Sequence, residues 1–281
     1  MPNPFGWGEE WRSAPLELLI VAAMSEDELE YRFATSSNAE DVYSFLLNHF
    51  RTSEPITTSL GATEDDLRDF FRDLKDGGLQ EKSPSILVYH NEDLIAVCLN
   101  DLKTSKKDPN RTYSLEVDPY KDYAKMIASG PYPQHVANQL WAFITTAEEN
   151  LPIMIPENSL IIKLDILCVR KDFQGRGIAK KLVQMTLQKA EDLHCNYVCT
   201  VGSAVASQGI FKKYGFKSLC EMPFFCFREN GKQVYENLSD GGLCGRLMAY
   251  KVPEGLQNGI ADHHQENQEH PGDDQNEEDL K

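Results

Sequence analysis

Beyond residue 30 the apolar residues fall into two alternating patterns, short unbroken runs and helical spacings. Residues 31–35 form the first short run and predict a strand. Asn38 stands where a helix N-cap belongs, and Val42, Phe45, Leu46 and His49 recur at helical spacing over 39–50. Thr63 and Asp66 have the spacing of a capping box. They open a second helix that runs to about Lys75 and stops at Gly77-Gly78. The runs 85–89 and 94–99, separated by His90-Asn91-Glu92-Asp93, predict a strand hairpin. Residues 100–133 are polar and rich in Pro, Lys and Asp, an insertion long enough to fold over a site. Residues 134–150 return to helical spacing, with His135 as a surface or packing residue.

The run 160–169 is apolar throughout except for Lys163 and Asp165, which predicts a central strand covered on both faces. A turn over 170–174 leads into a helix over 175–193, with Ile178, Leu182, Val183, Thr186, Leu187 and Ala190 on one face. A strand over 196–201 follows, then a short helix from Ser203 that ends before Gly215. Strands over 216–227 and 243–252 complete an α/β pattern, ordered β-α-α-β-β-α-β-α-β-α-β-β, without internal repeat.

At 281 residues the chain can build one large domain. No apolar run is long enough to span a bilayer. The run at 15–24 is interrupted by Glu17 and preceded by Glu9 and Glu10, which suits a buried element in an N-terminal extension (1–30) better than a signal peptide. The tail, 253–281, carries −8 of the net charge of −16 and few apolar residues, so it is read as disordered. His263 and His264 are read as solvated tail residues, not metal ligands. The seven cysteines are odd in number, lack a CxxC pair and lie mostly in apolar runs. They are expected to be free thiols of a cytoplasmic protein, with no disulfide framework and no metal. The negative charge lacks the basic footprint of a nucleic-acid binder. It would attract a cationic substrate such as an amine, and it equally serves solubility.

One segment changes the picture from fold to chemistry: Leu167-Cys168-Val169-Arg170-Lys171-Asp172-Phe173-Gln174-Gly175-Arg176-Gly177-Ile178-Ala179. A buried strand runs into a glycine-containing loop that opens a helix. Free amides at a helix N-terminus make an anion site, and Gly175 and Gly177 allow close approach of a phosphate. Arg176 and Lys180 add positive charge. A Walker loop would need GK[ST], and a dinucleotide fingerprint would need a third glycine and a later acid; neither occurs.

Gln174-Gly175-Arg176-Gly177-Ile178-Ala179 resembles the Q/R-x-x-G-x-G/A loop of the GNAT acetyltransferases, and Ile210-Phe211-Lys212-Lys213-Tyr214-Gly215-Phe216 resembles that family's next landmark. The resemblance covers roughly 31–252. It implies a single GNAT domain with a mixed central β-sheet flanked by helices, and acetyl-coenzyme A as cosubstrate. Coenzyme A is then expected at Leu167, Cys168, Val169, Gln174, Gly175, Arg176, Gly177, Ile178, Ala179 and Lys180. Three further segments are similar to the invertebrate arylalkylamine N-acetyltransferases: 49–56 with its Glu54-Pro55, 202–207 with Ser203 and Ser207, and the closing run 244–252. That branch acts on amines of the dopamine, tyramine, octopamine and serotonin type. The chain is accordingly expected to act as a monomer on a small-molecule amine, with neither nucleic acid nor membrane as partner. A GNAT enzyme for a polyamine or a protein amine, and a non-catalytic coenzyme A-binding module, stand as alternatives.

Amine acetylation needs a base for the ammonium, donors for an oxyanion and a proton for the leaving thiolate. The resemblance gives Glu54 the role of base, against the plainer reading of a loop carboxylate or helix cap. Backbone amides within 167–169 are the expected oxyanion donors. Phe211 occupies the position at which many family members carry a tyrosine, and the resemblance to the invertebrate branch implies Ser203 or Ser207 as the proton donor instead. Ser203 reads equally as an N-cap, and Ser207 as a small packing residue. Tyr214 is read as core, and Cys168 as a buried thiol with no histidine partner.

Overall fold

The computed structural model describes residues 29–114 and 117–253. Its strands are β1 (Leu29–Phe33), β2 (Ile86–His90), β3 (Asp93–Thr104), β4 (Leu160–Val169), β5 (Tyr197–Gly202), β6 (Lys217–Pro223), β7 (Arg228–Glu229), β8 (Lys232–Gln233) and β9 (Cys244–Lys251). Seven form one sheet in the order β1-β2-β3-β4-β5-β9-β6, and β7 and β8 form a separate ribbon. Within the large sheet only β4 and β5 pair in parallel, so the sheet is mixed, as the resemblance implied. The helices are α1 (Ala39–Phe45), prolonged by a π turn over Leu46–Phe50, then α2 (Pro55–Ser59), α3 (Glu64–Gly78), α4 (Ala124–Ala128), α5 (His135–Glu148), α6 (Leu151–Met154), α7 (Ile178–Asp192) and α8 (Val205–Lys213).

Strand alternation divides the core between the two faces of the sheet. Leu87, Val97, Leu99 and Ile166 pack with Val42 of α1, Phe71 of α3 and Phe143 of α5. Val88, Ala96, Cys98 and Leu164 pack on the other face with Ile178, Leu182 and Val183 of α7 and Phe211 of α8. Helix α3 starts on the expected capping box: the Asp66 amide donates to Thr63 Oγ1 (3.3 Å) and the Thr63 amide to Asp66 Oδ2 (2.9 Å).

The structure corrects several boundaries. Helix α3 continues through Gly77 and Gly78 instead of stopping there. A Cβ on Gly78 would stand 3.0 Å from that of Leu99, so this glycine lets the helix lie close on β3. Strand β3 extends to Thr104, five residues into the supposed insertion, because Asn100–Thr104 pairs with β4. Asn38 makes no side-chain cap; it accepts a hydrogen bond from the Thr35 amide instead. The helix expected from 175 starts at Ile178, since Gly175 and Gly177 lie in the left-handed region. The run 216–227 breaks after Pro223 into a 3-10 turn. Helices α2, α4 and α6 and the β7–β8 ribbon were not expected. The seven cysteines are all free, and all but Cys220 are buried. Among the described residues no helix is long and apolar enough to cross a membrane, and no cluster suited to a metal occurs. The extension, apart from its last two residues, and the tail beyond Pro253, with His263 and His264, lie outside the described residues.

Candidate active site

The site begins where β4 and β5 part. They pair only from Ile161↔Tyr197 to Leu164↔Thr200, although both strands continue. At that point the β3–β4 register skips, from Asn100↔Leu164 to Leu99↔Ile166, so Asp165 is an extra residue in β4. A bulge sharpens local twist, which opens the gap. The Arg170 amide donates to Ile95 O (2.8 Å). Antiparallel bonding alternates along a strand, so Cys168 also bonds toward β3, whereas the amides of Leu167 and Val169 turn toward the gap. The Cys168 thiol lies 3.8 Å from Ser53 Oγ, and burial pushes it up to about 12, out of the nucleophilic range.

The glycine loop closes one end of this gap. Gly175 and Gly177 have φ of +79° and +83°, and a Cβ on either would meet nothing within 4 Å. Gly177 is the N-cap of α7, whose first amides find no partner inside the helix. Gln174 donates through Nε2 to Val169 O (3.0 Å), which ties the loop to the end of β4. A groove of about 430 Å³ runs past these residues, lined by Leu167, Cys168, Val169, Gln174, Gly175, Gly177, Ile178, Ala179 and Lys180. Every residue expected at coenzyme A lines it except Arg176, whose guanidinium stacks on Phe173 at 4.7 Å from the ring centroid. Arg170 stacks on the same ring at 4.7 Å. Open space beside glycines and free helix amides fits a pyrophosphate.

Glu54 lies across the gap and is only 7% exposed. It caps α2, a helix short enough to pass as loop in the sequence, and Pro55 holds the first helical position. Four donors surround its carboxylate. The Ile56 amide (3.2 Å) and Ser203 Oγ (2.7 Å) donate to Oε1. The Thr57 amide (2.7 Å) and Thr57 Oγ1 (2.6 Å) donate to Oε2. Burial raises the pKa of Glu54, and the bonds from Thr57, Ser203 and Ile56 oppose that rise. Cap and buried carboxylate are thus the same residue. Ser203 does not cap α8, where Ala204 holds that position; its hydroxyl spans to Glu54, 149 positions away in the chain. Ser207 lines the groove and donates to Ala204 O (2.9 Å). Phe211 lines it too, and Tyr214 packs against the core.

A second cavity, of about 350 Å³, opens on the other side of Glu54 between α3, α5 and the sheet. It shares Phe50, Glu54, Leu164, Asp165, Val201 and Ser203 with the groove. Phe70, Tyr132 and Trp141 add aromatic wall. Tyr132 comes from the insertion, so that segment does reach the site; its hydroxyl donates to Asp73 (2.9 Å). Asp122 fixes the segment by accepting the amides of Ala124, Asn230 and Gly231. On the cavity floor Lys163 Nζ lies 2.9 Å from Glu148 and 3.0 Å from Asp165. The sequence pattern points neither to Thr57 nor, beyond Glu54 and Ser203, to the lining of this cavity. Thr57 sits at N3 of a helix the pattern does not display, and the cavity gathers α3, the insertion, α5 and β4.

Residues 103–226 match the family model described as the acetyltransferase (GNAT) domain. No curated protein matches the chain. Arylalkylamine N-acetyltransferase 2 from Aedes aegypti superposes with a TM-score of 0.64 at 19% identity, covering 81% of this chain and 100% of that one. The Drosophila melanogaster polyamine N-acetyltransferase, which forms N-acetylagmatine, gives 0.60 at 15% identity, with 80% and 100% covered. The C-terminal condensation domain of Ebony, in complex with beta-alanyl-dopamine, gives 0.57 at 15%, with 80% and 100% covered. The fold is that of the GNAT acetyltransferases, and the segment 103–226 is similar to that family's domain.

Proposed function

We propose that the protein transfers acetyl from acetyl-coenzyme A to the primary amine of an arylalkylamine of the dopamine, tyramine, octopamine or serotonin class. One observation carries this reading: the groove at the glycine loop and the aromatic-walled cavity meet at Glu54 and Ser203. A thioester reaching down the groove and an amine entering through the cavity would meet at that junction. The pyrophosphate of coenzyme A would lie on the amides after Gly177, with Gln174 and Lys180 beside it.

Glu54 takes one proton from the ammonium, whose ordinary pKa near 10 would otherwise leave it unreactive. The neutral nitrogen attacks the acetyl carbonyl, and the amides of Leu167 and Val169 donate hydrogen bonds to the oxyanion. The C–S bond breaks as the C–N bond is completed. The nitrogen's second proton passes to the thiolate through Ser203 or Ser207, leaving an N-acetyl amine and free coenzyme A thiol. Burial suits Glu54 to its role, because a raised pKa brings a carboxylate closer to working pH.

A second reading has its own support. Around the amine cavity Glu54, Asp73, Asp101, Glu148 and Asp165 face only Lys103 and Lys163, an excess of negative charge that would favour an acceptor with a second cationic group, such as a polyamine. Thiol release from acetyl-coenzyme A, measured against dopamine, tyramine, serotonin, spermidine and a lysine peptide, tests both readings. Selective turnover of the aromatic amines supports the first and selective turnover of spermidine the second. Coenzyme A binding without turnover of any would point to a binding module.

A further inference from the structure

The two oxygens of Glu54 are held differently. Oε2 is closed off by a single residue: Thr57 supplies both its amide (2.7 Å) and its hydroxyl (2.6 Å). Oε1 is held by one long amide bond from Ile56 (3.2 Å) and by the Ser203 hydroxyl, which lines both the groove and the amine cavity. An ionised carboxylate offers about four acceptor positions, and all four are taken here. Both amide bonds follow from Glu54 being an N-cap. The Thr57 hydroxyl does not, because any side chain at N3 leaves the cap amides in place. Thr57 is itself 2% exposed, so its hydroxyl has no solvent alternative.

We propose that Thr57 is a positioning residue for Glu54: its hydroxyl occupies Oε2 so that the proton is accepted at Oε1, on the Ser203 side. This rests on the reading of Glu54 as the base. If the Thr57 hydroxyl accepted from a protonated Oε2, its own proton would be turned into the core away from solvent, which favours keeping Oε2 as the acceptor. Ser203 can reverse, donating to the ionised Oε1 and accepting from the protonated one. Thr57 thus stabilises the ionised form and directs where the proton arrives. Besides the charged groups around the amine cavity, the titratable groups near Glu54 include Cys168 and Asp165 from β4 and Tyr235 from the loop after β8. Burial pushes Cys168 up to about 12 and Tyr235 well above its ordinary value, so both remain neutral across an assay range. Asp165 is paired with Lys163, as is Glu148, and the buried Asp101 of the same cavity is paired with Lys103 (3.0 Å).

The test is the pH profile of kcat/KM in Thr57→Val, which is close in shape and lacks the hydroxyl, with Thr57→Ser as rescue and Glu54→Gln as reference. Hydrogen bonds to charged groups typically carry about a tenfold to hundredfold effect. Thr57→Val is therefore expected to displace the acidic limb upward, with a loss of about that factor on the acidic side of the limb and convergence on wild type at high pH. Thr57→Ser should restore the limb. A uniform loss at every pH, or a limb that does not move, overturns the proposal. If Thr57→Val does not fold, Thr57→Ala takes its place against the same serine rescue. If Glu54→Gln retains the wild-type limb, the base assignment itself fails, an outcome distinct from a stationary limb in Thr57→Val alone.

Discussion

Replacing Gly177 with alanine separates what the glycine does for the fold from what it does for a ligand. Gly177 has φ of +83° and ψ of 0° and caps α7. An L-residue held in that conformation costs about 1–2 kcal/mol. Its new Cβ would meet nothing within 4 Å, so no steric cost is added in the free protein. For a domain of this size that predicts a fall in Tm of about 2–8 °C. Coenzyme A binding should suffer more. The methyl group would stand in the open space beside the free amides of α7, where the pyrophosphate is expected. Displacing even one charge-assisted hydrogen bond there weakens binding about tenfold to hundredfold. Gly209→Ala supplies the stability reference: it lies within α8, has an open Cβ position, and should gain about 1 kcal/mol from helix propensity. Calorimetric titration with coenzyme A and thermal unfolding of Gly177→Ala, Gly209→Ala and the double variant read both quantities. The double variant should recover stability without recovering affinity. An unchanged coenzyme A affinity in Gly177→Ala, alongside the predicted fall in Tm, would refute the phosphate-loop assignment and leave the glycine only a helix-capping role.

Three other outcomes are expected. Lys163→Met removes the cation shared by Glu148 and Asp165 and should cost on the order of 3 kcal/mol, read by denaturant unfolding, because it leaves two largely buried carboxylates facing each other. Native thiol labelling followed by mass spectrometry should modify Cys220 first and leave Cys168 untouched until the protein unfolds; rapid labelling of Cys168, or an acetyl group found on it during turnover, would contradict its role as an inert thiol. Because the pKa of folded Glu54 is raised, the folded state holds its proton more tightly than the unfolded chain, so the stability Glu54 contributes is lost as pH rises from its ordinary value through its folded one. The difference in unfolding free energy between wild type and Glu54→Gln should shift in that direction, and a difference independent of pH would mean that Glu54 is not buried as described.

Much of the fold was legible in the chain because local patterns report local forces. The apolar run of β4, the helical stripe of α7, the Thr63–Asp66 box and the glycine loop each follow from neighbouring residues alone, and each lies close to where the sequence implies. The groove proposed for coenzyme A was legible for the same reason: its loop is contiguous, and its lining includes every residue expected there but Arg176, whose choice of the Phe173 face depends on packing. Tertiary structure decided the rest. Asn100–Thr104 is polar yet lies in a strand, because β4 offers it a ladder. The β4–β5 gap arises from a bulge at Asp165 that no residue type announces. The Glu54–Ser203 bond spans 149 positions and forms only when the end of β5 is brought against the turn before α2. Sequence by itself determined most of the long elements and the glycine loop, where the interacting groups are neighbours in the chain. Only the folded chain decided which carboxylate is buried, which hydroxyl reaches it and where the two cavities meet, because those properties depend on residues far apart in sequence sharing one desolvated space.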